Sequence, residues 1–208
     1  MFNAKRTPIN ELKYIAGIVS QSSWFVEFKK MTILVANGAT EEELKKECLE
    51  NNLLGAIKEY RAKRMYGYLL NRIKNLDPEL VNLFINSDIA TQKLINLICI
   101  LRGDRLFFDF VYEVYREKAI LGQKILEDSD VRAFFANKGN QSDFVAGLQD
   151  CTKKRLKGIY TNFLTDANLL FVENKIRKIT TPIISDKLAH YLEKCGETSL
   201  FKAISGVA

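Results

Sequence analysis

The chain has 208 residues, of which 47% are hydrophobic and 27% are charged, with a formal net charge of +6. These values predict a globular protein of one domain or two small ones and exclude a disordered chain. Its apolar runs are far shorter than the roughly 20 residues that a bilayer span requires. Because the start also lacks the pattern of a secretory signal, we expect a cytoplasmic protein with no membrane contact.

Residues that carry catalytic or metal chemistry are sparse. The four cysteines stand far apart and His190 is the only histidine, so the sequence predicts neither a zinc site nor a nucleophile activated by histidine. Phosphate-loop, dinucleotide-binding, HExxH and GxSxG motifs are absent from the sequence. We therefore predict a non-enzymatic protein with no metal and no cofactor.

Helix signals dominate the first half of the chain, in which no internal repeat is visible. Apolar spacing predicts a helix from Trp24 to Ala36, and a capping box of Thr40 and Glu43 begins a short helix that ends near Cys48. A long helix from about Leu54 to Leu76 follows, and this pair has the outline of a helix-turn-helix. Asp77 and Asp88 then cap two further helices, which end at Ile85 and Leu101.

The segment from Arg105 to Leu121 is apolar almost all round and therefore predicts a central buried helix. Its narrow polar stripe has three- and four-residue spacings that favour intrahelical ion pairs. The stripe consists of Arg105, Asp109, Glu113 and Arg116.

Three helices and a hairpin follow, which is the order of elements in a winged helix. The predicted helices are Ser129 to Asn137, Asp143 to Leu148, and Asp150 or Thr152 to Thr165. Residues 169–172 and 175–180 are rich in β-branched and apolar side chains and predict the hairpin. Two short helices, which begin after Ser185 and at Thr198, end the chain.

We therefore predict an all-α, mainly helical fold of helix-turn-helix character with a small C-terminal β-hairpin of winged-helix type. Residues 1–125 are expected to hold the helix-turn-helix-like pair and the central helix, and residues 126–208 the winged-helix-like region. The two regions could also form one compact unit.

Positive charge is concentrated in two stretches of the chain. Residues 58–74 carry six basic residues against one acidic residue, and residues 151–178 carry seven against two, so the rest of the chain is net acidic. Basic patches on a neutral or acidic body are typical of proteins that bind polyanions. On a helical wheel Arg61, Arg64, Tyr68 and Arg72 lie away from the apolar face of the first helix. Lys154 and Arg155 lie away from that of the second, with Lys153 and Lys157 on its flanks. The predicted nucleic-acid contacts are Lys58, Arg61, Arg64, Tyr68, Arg72, Lys153, Lys154, Arg155, Lys157, Lys175, Arg177 and Lys178.

Several segments resemble the BrxA family of bacterial BREX phage-defence systems. The most specific runs from Asp104 to Lys118, and residues 130–135, 152–156 and 182–185 support it. The likeness covers most of residues 38–206. It implies a small helical protein, similar in fold to NusB, that binds double-stranded DNA and acts with other BREX proteins.

The sequence thus favours a non-enzymatic, double-stranded DNA-binding accessory component of a BREX-type system, which holds the duplex mainly through phosphate contacts. Two alternatives remain open at this point. The chain could be a protein-protein adaptor whose basic faces dock acidic partners, or an RNA-binding NusB-like protein. The sequence defines no oligomeric state.

Overall fold

The computed structural model describes residues 7–207, and the chain packs as two compact units. The first unit is built from Ser23–Gly103, and the second from Pro8–Ser22 together with the chain from Asp104 onward. The division into regions 1–125 and 126–208 stays a prediction. Residues 1–6 and 208 lie outside the described residues.

The first unit is a helical bundle. Its helices are α1 (Phe25–Ala36), α2 (Glu41–Leu49), α3 (Glu59–Ile73), α4 (Pro78–Ile85) and α5 (Ile89–Leu101). Helix α1 packs against α3, α4 and α5, and α2 packs against α3. Every residue from Leu94 to Leu101 is buried, so α5 forms the centre of this unit.

Local capping signals define where these helices begin. The Thr40 hydroxyl accepts a hydrogen bond from the Glu43 amide at 3.2 Å, and the Glu43 carboxylate accepts one from the Thr40 amide at 2.7 Å. This reciprocal pair confirms the predicted capping box. Asp77 and Asp88 cap α4 and α5 with one hydrogen bond each, which the side chain accepts from the amide three residues further on. A cap of this kind contributes about 1 kcal/mol to helix stability.

Helix α3 begins at Glu59, five residues later than predicted. Asn52 and Gly55 both adopt positive φ values, of 50° and 62°, which a right-handed helix does not allow. Residues 50–58 therefore form an irregular connection that is longer than the three- or four-residue turn of a helix-turn-helix. The pair α2 and α3 departs from that motif.

The second unit combines helices with a hairpin. Its helices are α6 (Arg105–Phe110), α7 (Arg116–Ile120), α8 (Asp128–Gly139), α9 (Asp143–Ala146), α10 (Asp150–Asp166), α11 (Asp186–Lys194) and α12 (Thr198–Ser205), and a π-helical segment, Val111–Tyr115, joins α6 to α7. The strands are β1 (Leu170–Glu173) and β2 (Ile176–Ile179). The predicted helix from Arg105 is thus continuous in path but changes its hydrogen-bonding pattern midway.

The aromatic residues of α6 form the core of the second unit. Phe107 stacks on Tyr160 of α10 with ring centroids 4.6 Å apart, and Phe110 meets Phe134 of α8 edge-on at 5.2 Å. All four rings are buried. Aromatic pairs of this geometry contribute beyond their buried area, so α8 and α10 are both fixed on the central segment as its apolar composition predicts.

The polar stripe of the central segment does not form the predicted intrahelical pairs. Asp109 and Glu113 instead bind the ammonium group of Lys138 in α8, at 2.7 Å and 2.6 Å. The Arg105 guanidinium donates to the carbonyl of Leu12 and lies over the Tyr14 ring. A buried ammonium group is costly unless carboxylates compensate its charge. This requirement outweighs the small gain from exposed ion pairs along one helix.

The hairpin turns at Asn174 and Lys175, both with positive φ, as a two-residue type I′ turn requires. Residues 124–126 pair with β2 as well: the Ile179 amide donates to the Lys124 carbonyl at 2.8 Å, and the Leu126 amide to the Arg177 carbonyl at 2.9 Å. A mainly helical fold with a small C-terminal hairpin is thereby confirmed. Within residues 7–207, no helix has the length and apolar character needed to cross a bilayer.

Candidate nucleic-acid interface

Helix α3 places part of the first predicted group at the surface. Its apolar side, which includes Met65 and Leu69, is buried in the first unit. Lys58, Arg61 and Arg64 are exposed and form no ion pair with the described residues. Tyr68 is half-buried, and its ring stacks on Trp24 with centroids 6.1 Å apart. Other cations of this stretch are neutralised: Lys63 by Glu59, and Lys74 by Glu41.

Arg72 is buried, with only 3% of its surface exposed, so the prediction that its side chain is presented to solvent is wrong. Its guanidinium donates to the Ser23 carbonyl and to the Asn96 side-chain oxygen, and it lies 5.8 Å from the centre of the Trp24 ring. The residues just before α1 cover this end of α3. Periodicity within α3 cannot reveal such a cover, because it comes from a distant part of the chain.

We expect Arg72→Ala to lower the free energy of unfolding by about 2–4 kcal/mol, because it leaves the Ser23 carbonyl and the Asn96 amide without their charged donor. Arg72→Lys should restore little of this loss, since one ammonium group cannot replace a planar fork of donors. Urea denaturation measures both. Arg61→Ala, on the exposed side of the same helix, is the matched control and should change stability by less than about 0.5 kcal/mol. Equal effects at the two arginines would contradict a structural role for Arg72.

Helix α10 presents the second basic group. Lys154 and Arg155 are exposed, Lys153 is half-buried, and none of the three forms an ion pair with the described residues. The opposite side of the helix buries Leu156 and Tyr160 in the core of the second unit. The amphipathic wheel therefore placed these three cations correctly at the surface.

A groove of about 440 Å³ lies between α8 and α10. Its floor is apolar, and its rim is mainly basic with two acidic residues. The lining residues are Val131, Phe135, Ala136, Arg132, Lys153, Lys154, Lys157, Asp128 and Asp150. Arg132 is an exposed cation that the sequence analysis missed. Its position on the exposed side of an amphipathic helix was the available signal.

Asp128 brings two of the predicted cations together. Its carboxylate accepts from the Lys157 ammonium of α10 at 2.9 Å and from the Arg177 guanidinium of β2. Hydrogen bonds from Lys157 and Arg177 lower the pKa of Asp128 to about 2, so it stays ionised at neutral pH. Lys178 is paired with Glu173 at 2.6 Å. Of the hairpin cations, only Lys175 at the turn has no ion-pair partner among residues 7–207.

The structure thus divides the predicted contacts into accessible and engaged groups. The accessible cations are Lys58, Arg61, Arg64, Lys153, Lys154, Arg155 and Lys175. Lys157, Arg177 and Lys178 are held in ion pairs, and Arg72 is buried. In the described part of the chain, no group of three or more metal-binding side chains comes together.

Comparison with known proteins identifies the fold first. The crystal structure of an uncharacterized protein from Magnetospirillum magneticum superposes with a TM-score of 0.78 at 20% identity, over 94% of this chain and 100% of that one. The two proteins therefore share their overall fold.

Sequence comparison then identifies the family. The BrxA family model matches residues 12–196. The BREX protein BrxA of Bacillus cereus (strain H3081.97) is 34% identical over 189 residues, which cover 91% of this chain and 94% of that protein. The chain belongs to the BrxA family of BREX phage-defence proteins, as the resemblance of residues 104–118 indicated.

Proposed function

We propose that this chain is a non-enzymatic accessory component of a BREX system that binds double-stranded DNA mainly through phosphate contacts. The observation that carries the proposal is the accessible run Lys153, Lys154 and Arg155 on α10, which no described acidic side chain neutralises. Ammonium and guanidinium groups displayed together on a rigid helix are suited to bind phosphate oxygens. Lys58, Arg61 and Arg64 give α3 the same character.

The elements around α10 support a winged-helix mode of binding. Residues 147–149, which include Gly147, join α9 to α10, and a turn of this length is usual between the helices of a helix-turn-helix. The hairpin follows α10, and residues 124–126 pair with its second strand before α8 begins. We therefore propose that α10 contacts the phosphates that border a groove, with Lys175 as the cation of the wing, and that α3 contacts phosphates as well.

A second candidate function, an adaptor between BREX proteins, is favoured by the apolar floor of the groove between α8 and α10. Val131, Phe135 and Ala136 form this floor beneath the basic rim. An amphipathic acidic segment of a partner would fit such a surface. Copurification of other BREX proteins after nuclease treatment distinguishes the two functions. If it persists when Arg61 and Arg64 are reversed but is lost when the α10 cations are reversed, it supports an adaptor that docks an acidic partner at this groove.

We expect Asp128→Asn to strengthen duplex binding about three- to tenfold at low salt, because it releases Lys157 and Arg177 for phosphate contact. The dependence of log Kd on log salt should steepen by up to about two units, about 0.9 for each added contact. Fluorescence anisotropy with a labelled duplex measures both quantities. Asp186→Asn, an equal change in net charge on α11, is the control. An equal gain in both variants would show that Asp128 does not mask these cations.

The proposed function is tested by titration of the intact chain with a labelled DNA duplex at several salt concentrations, with a matched RNA duplex as competitor. Binding that weakens steeply with salt and resists the RNA competitor supports it. Displacement by RNA at equal concentration would favour the RNA-binding alternative instead.

A further inference from the structure

The two basic helices carry the same short pattern of residues at the same place in each helix. The pattern is a Lys-Arg pair, a glycine three residues after the arginine, and an asparagine four residues after the glycine. It consists of Lys63, Arg64, Gly67 and Asn71 in α3, and of Lys154, Arg155, Gly158 and Asn162 in α10. In both helices the first residue is acidic and the lysine is the fifth residue. We call these four residues of each helix the KRGN face.

Every member of both KRGN faces is exposed, and among their four cations Lys63 is paired with Glu59 at 2.6 Å. Four residues at positions i, i+1, i+4 and i+8 fall within about 100° on a helix and span about 12 Å along its axis. Neighbouring positions differ in kind: where α3 has the buried Tyr66 and Arg72, α10 has the half-buried Lys157 and the buried Phe163. The identity therefore lies at the surface, and the packing of the two helices does not account for it.

The glycine of each KRGN face has no role within the chain. Gly67 and Gly158 lie inside their helices, and a Cβ atom added to either would meet no atom within 4 Å. Both have ordinary helical backbones, so neither needs the conformational freedom of glycine. Glycine in a helix interior destabilises the helix relative to alanine. A glycine that neither packing nor backbone requires leaves room for something outside the chain.

We propose that each KRGN face is a docking surface for the phosphate backbone of duplex DNA, with its glycine at the point of closest approach. Arg64, Lys154 and Arg155, which have no ion-pair partner among the described residues, neutralise phosphates beside that point, and Lys63 does so when a phosphate displaces Glu59. The asparagine amide donates a hydrogen bond to another phosphate oxygen. The proposal rests on the proposed function. It adds that each of the two units holds one docking helix of similar design.

Substitution of the glycines separates docking from stability. Gly67→Ala and Gly158→Ala should each raise the melting temperature by about 2–4 °C, because alanine is the better helix former. Gly67→Leu and Gly158→Leu, whose side chains fill the space and cannot bind phosphate, should weaken duplex binding about tenfold each and leave the melting temperature at or above that of the natural chain. Asn137→Ala, on the exposed side of α8, is the control that stabilises a helix without touching either KRGN face.

The outcomes distinguish this inference from the function on which it rests. If the natural chain binds no duplex, the proposed function fails. If it binds, and charge reversal on α10 weakens binding while the leucine variants bind as the natural chain does, only the close approach at glycine is overturned. A fall in melting temperature in the alanine variants would also overturn it, since the glycines would then serve the fold.

Discussion

Reversal of the three accessible cations of α10, in the variant K153E/K154E/R155E, is expected to weaken duplex binding about a hundredfold or more at low salt. Each of these side chains that contacts a phosphate releases a condensed counterion, so the slope of log Kd against log salt should fall by about three units. The introduced carboxylates add repulsion to the lost contacts. Anisotropy titrations at several salt concentrations measure both the affinity and the slope.

The matched control carries the same change in net charge elsewhere on the second unit. Lys13, Lys187 and Lys202 lie outside α10 and the hairpin, and none of them forms an ion pair with a described residue. Their triple reversal to glutamate should weaken binding only slightly, by a general field effect. Equal losses in the two triple variants would show that the overall charge attracts the duplex and that α10 is not the contact surface.

Lys138→Met is expected to lower the free energy of unfolding by about 3–5 kcal/mol, because it leaves the Asp109 and Glu113 carboxylates without their shared partner. Lys138 is only 4% exposed, and Asp109 also accepts a hydrogen bond from the Tyr14 hydroxyl at 2.7 Å. Burial acts to lower the pKa of Lys138, but hydrogen bonds to both carboxylates outweigh it and raise the pKa. The lysine is therefore charged, and its removal leaves the Asp109 carboxylate, whose side chain is only 14% exposed, without its cationic partner. Urea denaturation with a circular dichroism signal measures the loss.

The control for this variant is the same substitution at an exposed pair. Lys63→Met breaks a bridge to Glu59 in which both side chains are more than half exposed, and it should cost less than about 0.5 kcal/mol. Addition of Asp109→Asn to Lys138→Met should recover part of the stability, because the unpaired Asp109 charge is then gone. A loss below about 1 kcal/mol in Lys138→Met would contradict a stabilising role for this network.

Local chemistry made most of the fold predictable. The capping box at Thr40 and the aspartates at 77 and 88 defined helix starts, since a cap depends on residues within one turn. The predicted start of α3 was wrong because Gly55, inside an otherwise helical pattern, adopts a left-handed backbone. The apolar run from Leu106 correctly predicted a buried centre, but nothing in it signals the π-helical segment.

The sequence predicted which side of each helix carries the basic residues, but not which residues cover them or pair with them. Periodicity placed Arg61 and Arg155 at the surface, because a helix wheel depends only on neighbouring residues. It failed for Arg72, which is covered by residues some 49 positions earlier. Asp128 engages Arg177 across the same separation, and a long-range pair of this kind leaves no local signal. The KRGN pattern gives no periodic signal, because its four residues are interspersed with residues that differ between α3 and α10.

The most direct test of DNA binding is the affinity of the intact chain for a DNA duplex at 50 mM and 200 mM salt. Three to seven phosphate contacts from the accessible cations of α3, α10 and the hairpin turn give a slope of log Kd against log salt between about 3 and 6. We therefore predict that Kd rises at least about fortyfold between the two concentrations, and that the α10 reversal lowers the slope by about three units. A duplex affinity that is absent, or that is the same at both salt concentrations, would contradict the proposal.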